Sequence, residues 1–158
     1  MTGRGRKPRI AVVGAGRATP QETSLAEELG GVLGEAGAVV VTGGLGGVME
    51  AVSRGCLEAG GLTVGILPGT EAGAANRWVA VPLPTGMGEA RNALVVRGGE
   101  VVVAVGGSWG TLSEIALARK MGREVALLGT PPADLPLPRM ASGREAAEWA
   151  LGQALREP

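Results

Sequence analysis

Three short runs of mostly β-branched apolar residues each end at or one residue before a glycine, and each glycine turn opens a helical pattern. The runs are Ile10-Ala11-Val12-Val13, followed by Gly14-Ala15-Gly16; Val39-Val40-Val41, followed by Thr42-Gly43-Gly44-Leu45-Gly46-Gly47; and Val101-Val102-Val103-Ala104-Val105, followed by Gly106-Gly107-Ser108-Trp109-Gly110. A continuous apolar run offers no polar face to water, so it reads as a strand covered on both sides. Such strands pair in parallel, and a parallel neighbour is reached through a helical crossover. Further apolar runs at 63–67, 78–81 and 125–128 continue the alternation, with helical patterns at 21–36, 47–59, 88–97, 111–121 and 144–156. The expected fold is one α/β domain over 1–158: a doubly wound, Rossmann-like, mostly parallel sheet of six or seven strands flanked by helices.

Local signals fit that frame. Pro20 and Glu22 suit the positive first turn of a helix. Ser142-Gly143-Arg144-Glu145 reads as a capping box, and Pro131, Pro132, Pro136 and Pro138 mark an irregular bridge leading to it. The start of the chain, residues 1–8, reads as a flexible leader that is locally basic through Arg4, Arg6 and Lys7, with Arg9 just beyond.

Composition removes whole classes of chemistry. Fifteen basic and fifteen acidic residues leave a formal charge of zero, so no footprint for nucleic acid is expected. No apolar stretch is long and unbroken enough to suggest a membrane span, and the N-terminus has no apolar signal region, so a cytoplasmic protein is expected. One cysteine excludes an internal disulfide. With no His and a single Cys, an ordinary zinc site and a Ser-His-Asp or Cys-His nucleophile system are both out of reach, and no metal is expected. Lys7 and Lys120 are the two lysines, and neither sits at a strand-end turn, which argues against pyridoxal phosphate; no cofactor is expected. Any general acid or base is then a Glu, with Arg as the main cation.

The three turns share one chemistry and have competing explanations. In a doubly wound sheet they lie along the carboxyl edge, where backbone N–H groups at helix N-termini converge on an anion. The first, Gly14-Ala15-Gly16, begins like a dinucleotide fingerprint, but Thr19 stands at the third glycine position and Glu35 falls at a helix end. No turn ends in Gly-Lys-Ser/Thr, so the chain is not a P-loop nucleotidase. Thr111 and Glu114 have the spacing of a capping box, which would explain Glu114 without catalysis. Arg91, on a helical pattern with Glu89 and Arg97, has a reading as solvated charge. Glu50 either faces the pocket or complements a helix dipole, Trp109 either covers a ligand or packs on the surface, and Cys56 reads as core.

Taken together, these residues resemble the Lonely Guy (LOG) superfamily, often labelled possible lysine decarboxylases. The family pattern Gly-Gly-Gly-x-x-Gly-Leu-Met-Gly is matched by Thr42-Gly43-Gly44-Leu45-Gly46-Gly47-Val48-Met49-Glu50. Its Pro-Gly-Gly-x-Gly-Thr-x-x-Glu is matched by Gly106-Gly107-Ser108-Trp109-Gly110-Thr111-Leu112-Ser113-Glu114, and its Arg-Lys pair by Arg91-Asn92. Gly106 stands for Pro, Ser108 for Gly, Asn92 for Lys and Glu50 for Gly, and Met87 lies four residues before Arg91 rather than three. The segments 42–54 and 85–92 look closest to a bacterial branch similar to molybdenum cofactor carrier proteins. The lysine argument removes the decarboxylase label.

The resemblance implies a phosphoribohydrolase that cleaves a nucleoside 5′-monophosphate to free base and ribose 5-phosphate, with Arg91 and Glu114 as the catalytic pair. It implies a phosphate cradle at Gly107, Gly110 and Thr111, within a wider ligand site that includes Gly14, Gly16, Gly43, Gly44, Gly46, Gly47, Met87, Asn92, Gly106, Ser108 and Trp109. The competing reading is a non-catalytic carrier of a nucleotide or of a phosphorylated pterin such as molybdenum cofactor. Asn92 in place of Lys favours the carrier, and the retention of Arg91 with Glu114 favours the enzyme. A small phosphorylated ligand is expected in either case, and a homodimer or tetramer follows from the resemblance.

Overall fold

The computed structural model describes residues 5–156. In chain order the elements are β1 (Arg9–Gly14), α1 (Pro20–Glu35), β2 (Val39–Thr42), α2 (Val48–Glu58), β3 (Leu62–Leu67) and β4 (Val81–Pro84). A 3-10 turn (Gly88–Arg91), α3 (Asn92–Gly98), β5 (Val101–Val105), α4 (Trp109–Lys120), β6 (Glu124–Leu128), β7 (Arg139–Met140) and α5 (Gly143–Ala154) follow. All seven strands pair in parallel, in the order β4-β3-β2-β1-β5-β6-β7. This is the doubly wound α/β domain read from the alternation of runs. Among the described residues no helix is long and apolar enough to cross a membrane.

The central strands are apolar on both faces because they feed two cores. Ile10, Val12, Val40, Val103 and Val105 point to one face, under Leu29 and Leu33 of α1, Val52 of α2 and Ala147 of α5. Ala11, Val13, Val41, Val102 and Ala104 point to the other, under Val95 and Val96 of α3 and Ile115 of α4. Thr19 caps α1 reciprocally: its Oγ1 accepts from Glu22 N–H at 3.1 Å, and Glu22 Oε1 accepts from Thr19 N–H at 3.2 Å. At α5, Ser142 Oγ accepts from Glu145 N–H, but Glu145 reaches back to Ala141 N–H rather than to the cap residue, so the expected box is a looser variant.

Three local expectations change. The strand expected at 78–81 lies at Val81–Pro84, because Asn76–Val79 turns and Thr63 Oγ1 engages both the Trp78 carbonyl and Ala80 N–H. Pro82 and Pro84 are accommodated because β4 is an edge strand, where a missing N–H faces no neighbour. Two residues of the proline-rich bridge pair with β6 as β7. The helix expected at 88–97 begins as a 3-10 turn and becomes α-helical at Asn92. Within the segment read as a leader, Pro8 O accepts Val39 N–H at 2.8 Å and Arg6 pairs with Glu100; residues 1–4, with Arg4, lie outside the described residues.

Candidate functional site

The strand order reverses at β1, whose neighbours β2 and β5 carry their crossovers to opposite faces. In open α/β sheets the crevice at such a reversal, outside the carboxyl ends of the strands, is where ligands bind. Gly14 closes β1 directly opposite Val105 of β5, so the first and third glycine turns face one another there. Between them opens a cavity of about 740 Å³. One wall is Gly14, Ala15, Gly16 and Arg17; the other is Gly107, Ser108, Gly110 and Thr111, with Glu22 and Glu114 also facing in.

The α4 wall is built by two unusual backbone conformations. Gly106 has φ 55° and Gly107 φ 108°, a region that L side chains rarely adopt. The bend starts the helix at Trp109, two residues earlier than the sequence pattern indicated. Thr111 is therefore inside the first turn, buried against Gly107, and the Thr111–Glu114 capping box is not formed. Ser108 occupies the cap position without a side-chain hydrogen bond, and the first helical bond runs from Leu112 N–H to Ser108 O. The N–H groups of the first turn are consequently free for an anion, reinforced by the positive end of the helix dipole. A Gly107→Ala change should lower the melting temperature by several degrees through strained φ and collision with Thr111, which a thermal melt measures.

Beneath the cradle, Glu114 also borders a second cavity of about 80 Å³, together with Gly43, Met49 and Arg91. Arg91 is 9 % exposed. Its Nη1 donates to Asn92 Oδ1 and its Nη2 to Gly43 O at 3.4 Å, while Nε is buried without a partner. Burial pulls the Arg91 pKa down, and Glu114 opposes that shift. Burial pushes the Glu114 carboxyl up to about 7 against the pull of Arg91. The solvated-charge reading of Arg91 fails on its burial. What remains is a carboxyl that exchanges its proton near neutrality, between an anion cradle and a buried cation.

The structure does not gather all the expected residues at this crevice. Gly16, Gly107, Ser108, Gly110 and Thr111 line the large cavity, Gly43 and Arg91 the small one, and Gly14 and Glu114 both. Asn92 is turned to Arg91, and Gly44 is occupied structurally, its N–H on Thr42 Oγ1 and its carbonyl on Asn76 N–H. Gly46 packs toward Gly16, and Gly47 lines a separate groove with Glu50 and Trp78. Met87 is half exposed and Trp109 is 85 % exposed. Cys56 is core, its thiol pushed up to about 11 by burial.

Sequence reasoning missed Arg17 and Glu22. Glu22 is anchored by its capping role, and its Oε2 is buried without a partner where a Cβ on Gly106 would stand. This accounts for glycine rather than proline at position 106. Proline cannot adopt φ 55°, and its ring would meet the Glu22 carboxylate. The Thr19-x-x-Glu22 spacing was the available signal. Among the described residues no three His, Cys, Asp or Glu side chains gather as a metal site.

The chain is similar along most of its length to several known proteins. The molybdenum cofactor binding protein from the phototrophic bacterium Rippkaea orientalis is similar at 37 % identity and a TM-score of 0.85, over 93 % of this chain and 97 % of that one. The molybdenum cofactor carrier protein from Chlamydomonas reinhardtii is similar at 34 % identity and a TM-score of 0.86, over 96 % and 100 %. An uncharacterized protein of Archaeoglobus fulgidus is 36 % identical over 147 residues, 93 % of this chain and 97 % of its own length. The model of the SLOG cluster4 family matches residues 7–149, and the chain belongs to that family.

Proposed function

We propose that this protein binds and carries a phosphorylated pterin-type ligand of the molybdenum cofactor kind. The observation that carries the reading is the end-to-end likeness to a carrier: the Chlamydomonas protein is covered over 100 % of its length at a TM-score of 0.86. The site supports it physically. A cavity of about 740 Å³ has room for a ring system beyond a phosphate group. The ligand's phosphate would sit on the first-turn N–H groups around Gly107, Gly110 and Thr111, with Arg17 on the facing wall. The test is to produce the protein in cells that make molybdenum cofactor, purify it, oxidise any bound pterin and quantify its fluorescent product by chromatography. Pterin should co-purify with the wild-type chain and be depleted in a folded Gly107→Ala variant. No pterin above the level of an unrelated purified protein would sink the carrier reading.

One observation favours a second reading, hydrolysis of a nucleoside 5′-monophosphate. Glu114, near neutrality and above Arg91, has the properties of a general acid or base, and a carboxylate there would stabilise an oxocarbenium-like transition state. In this reading Arg91 orients Glu114, and the same cradle holds the 5′-phosphate. Incubation with AMP and other nucleoside monophosphates distinguishes the two. Free base and ribose 5-phosphate formed by the wild type, and not by Glu114→Gln, would displace the carrier in favour of the hydrolase.

A further inference from the structure

We infer that Trp109 is the platform on which the planar ring of the ligand stacks, so that the rim of the cradle selects heterocyclic phosphates over simple sugar phosphates. The inference rests on the carrier reading and concerns a residue that the reading leaves without a role. The chain holds no Phe and no Tyr, and just three Trp. Trp149 packs against the core. Trp78 lies under two guanidinium groups, with the Arg77 carbon 4.7 Å and the Arg54 carbon 5.5 Å from its ring centre. Trp109 alone stands 85 % exposed.

Its position makes that exposure informative. Trp109 is the first residue of α4, between Ser108 and Gly110, which both line the cavity. The bend at Gly106 and Gly107 and the first helical turn fix its backbone, so the residue is held on a rigid support between two cavity-lining neighbours. The cavity walls are glycine, alanine, hydroxyl and charged groups, with no aromatic or large apolar side chain among them. A ring system bound there by its phosphate finds no apolar face inside the cavity, and the exposed indole of Trp109, between two lining residues, is the aromatic group available to it. An indole stacks on a flat heterocycle of any hydrogen-bonding pattern, which provides affinity for the ring and leaves finer selection to polar groups such as Glu22 and Arg17.

Two probes that share a phosphate separate the ring from the anion: 6-hydroxymethylpterin monophosphate and ribose 5-phosphate, each titrated calorimetrically into the full chain. The wild type should bind the pterin phosphate more tightly. Trp109→Ala should weaken the pterin phosphate about 10-fold, within the range of base–aromatic stacking, and leave ribose 5-phosphate within about twofold. Trp109→Phe should recover most of the loss. Equal weakening of both probes by Trp109→Ala would make Trp109 a structural part of the turn and overturn the inference. An unchanged affinity together with a changed sedimentation coefficient would assign the ring to contact with a second copy, and also overturn it. If the wild type binds both probes equally, the cradle stands and ring recognition fails. If it binds neither, the phosphate cradle itself fails and takes this inference with it.

Discussion

Sulfate binding to this protein is expected to weaken about 100-fold between pH 6 and pH 9, and Glu114→Gln should remove most of that dependence. Sulfate keeps its double charge across this range, so the protein supplies the titration. A dianion ~5 Å from a carboxylate, at an effective dielectric of about 20, is disfavoured by roughly 7 kcal/mol, enough to hold Glu114 protonated in the complex. Burial already raises the free-state pKa to about 7, so binding above that pH must first place a proton on Glu114, at a tenfold penalty per unit. Arg91 below, with Arg17 and Glu22 across the cavity, are the other charged groups facing it. The side chains that ordinarily titrate in this window are His and Cys; His is absent, and the Cys56 thiol is pushed up to about 11.

Stability gives an independent reading of the same carboxyl. Its folded pKa lies above its unfolded one, so the native state holds the proton more tightly. The stabilisation is complete below about pH 4.5, is lost as pH rises to about 7, and is flat above. Over that interval the wild type should lose about 3 kcal/mol relative to Glu114→Gln, measured by urea unfolding at pH 4.5, 6 and 8. Parallel pH profiles for the two proteins would show that Glu114 is not held protonated by burial. A sulfate affinity constant across the pH range would separate the cradle from its proton.

The legible and illegible parts of this chain divide along physical lines. β5 is a run of five apolar residues that has no other use than a central strand, and its expected bounds match the structure. The parallel sheet followed from several such runs, because burial on both faces leaves its mark at every position of a strand. Edge elements leave no such mark. β4 sits on two prolines and β7 is two residues long, so neither shows a period. The start of α4 was misplaced because Gly107 bends the chain at a φ that a sequence does not display. The two halves of the cavity were legible as glycine turns, but Arg17 and Glu22 enter it through the angle at which α1 leaves β1, which is a tertiary property. Arg91 is likewise held by the β2–α2 loop, where Gly43 O accepts from it, and not by its own 3-10 turn.

A large stability loss from removing no atom should come from Gly30→Ala. Alanine ordinarily stabilises a helix interior by up to about 1 kcal/mol over glycine. At Gly30 the sign reverses, because an added Cβ would meet Val52 O and, at 2.9 Å, Cys56 N, both backbone atoms of α2. Gly34 and Gly55 meet the opposing helix in the same way, so α1 and α2 cross with their backbones in contact. The atoms met are backbone, so no flexible side chain can move aside, and relief requires the pair to separate. A loss of about 2–3 kcal/mol is expected, a fall of roughly 5–10 °C in melting temperature. The neighbouring Gly31 is the internal control: a Cβ there meets nothing within 4 Å, so Gly31→Ala should raise the melting temperature. The same crossing positions the cradle, because Val48 N–H at the start of α2 donates to Ala15 O in the wall of the cavity at 3.1 Å. Gly30→Ala should therefore also weaken sulfate binding at a temperature where the variant is fully folded, while Gly31→Ala leaves it unchanged. The same change in melting temperature and in sulfate affinity for both variants would mean that the helix crossing neither limits packing nor sets the site.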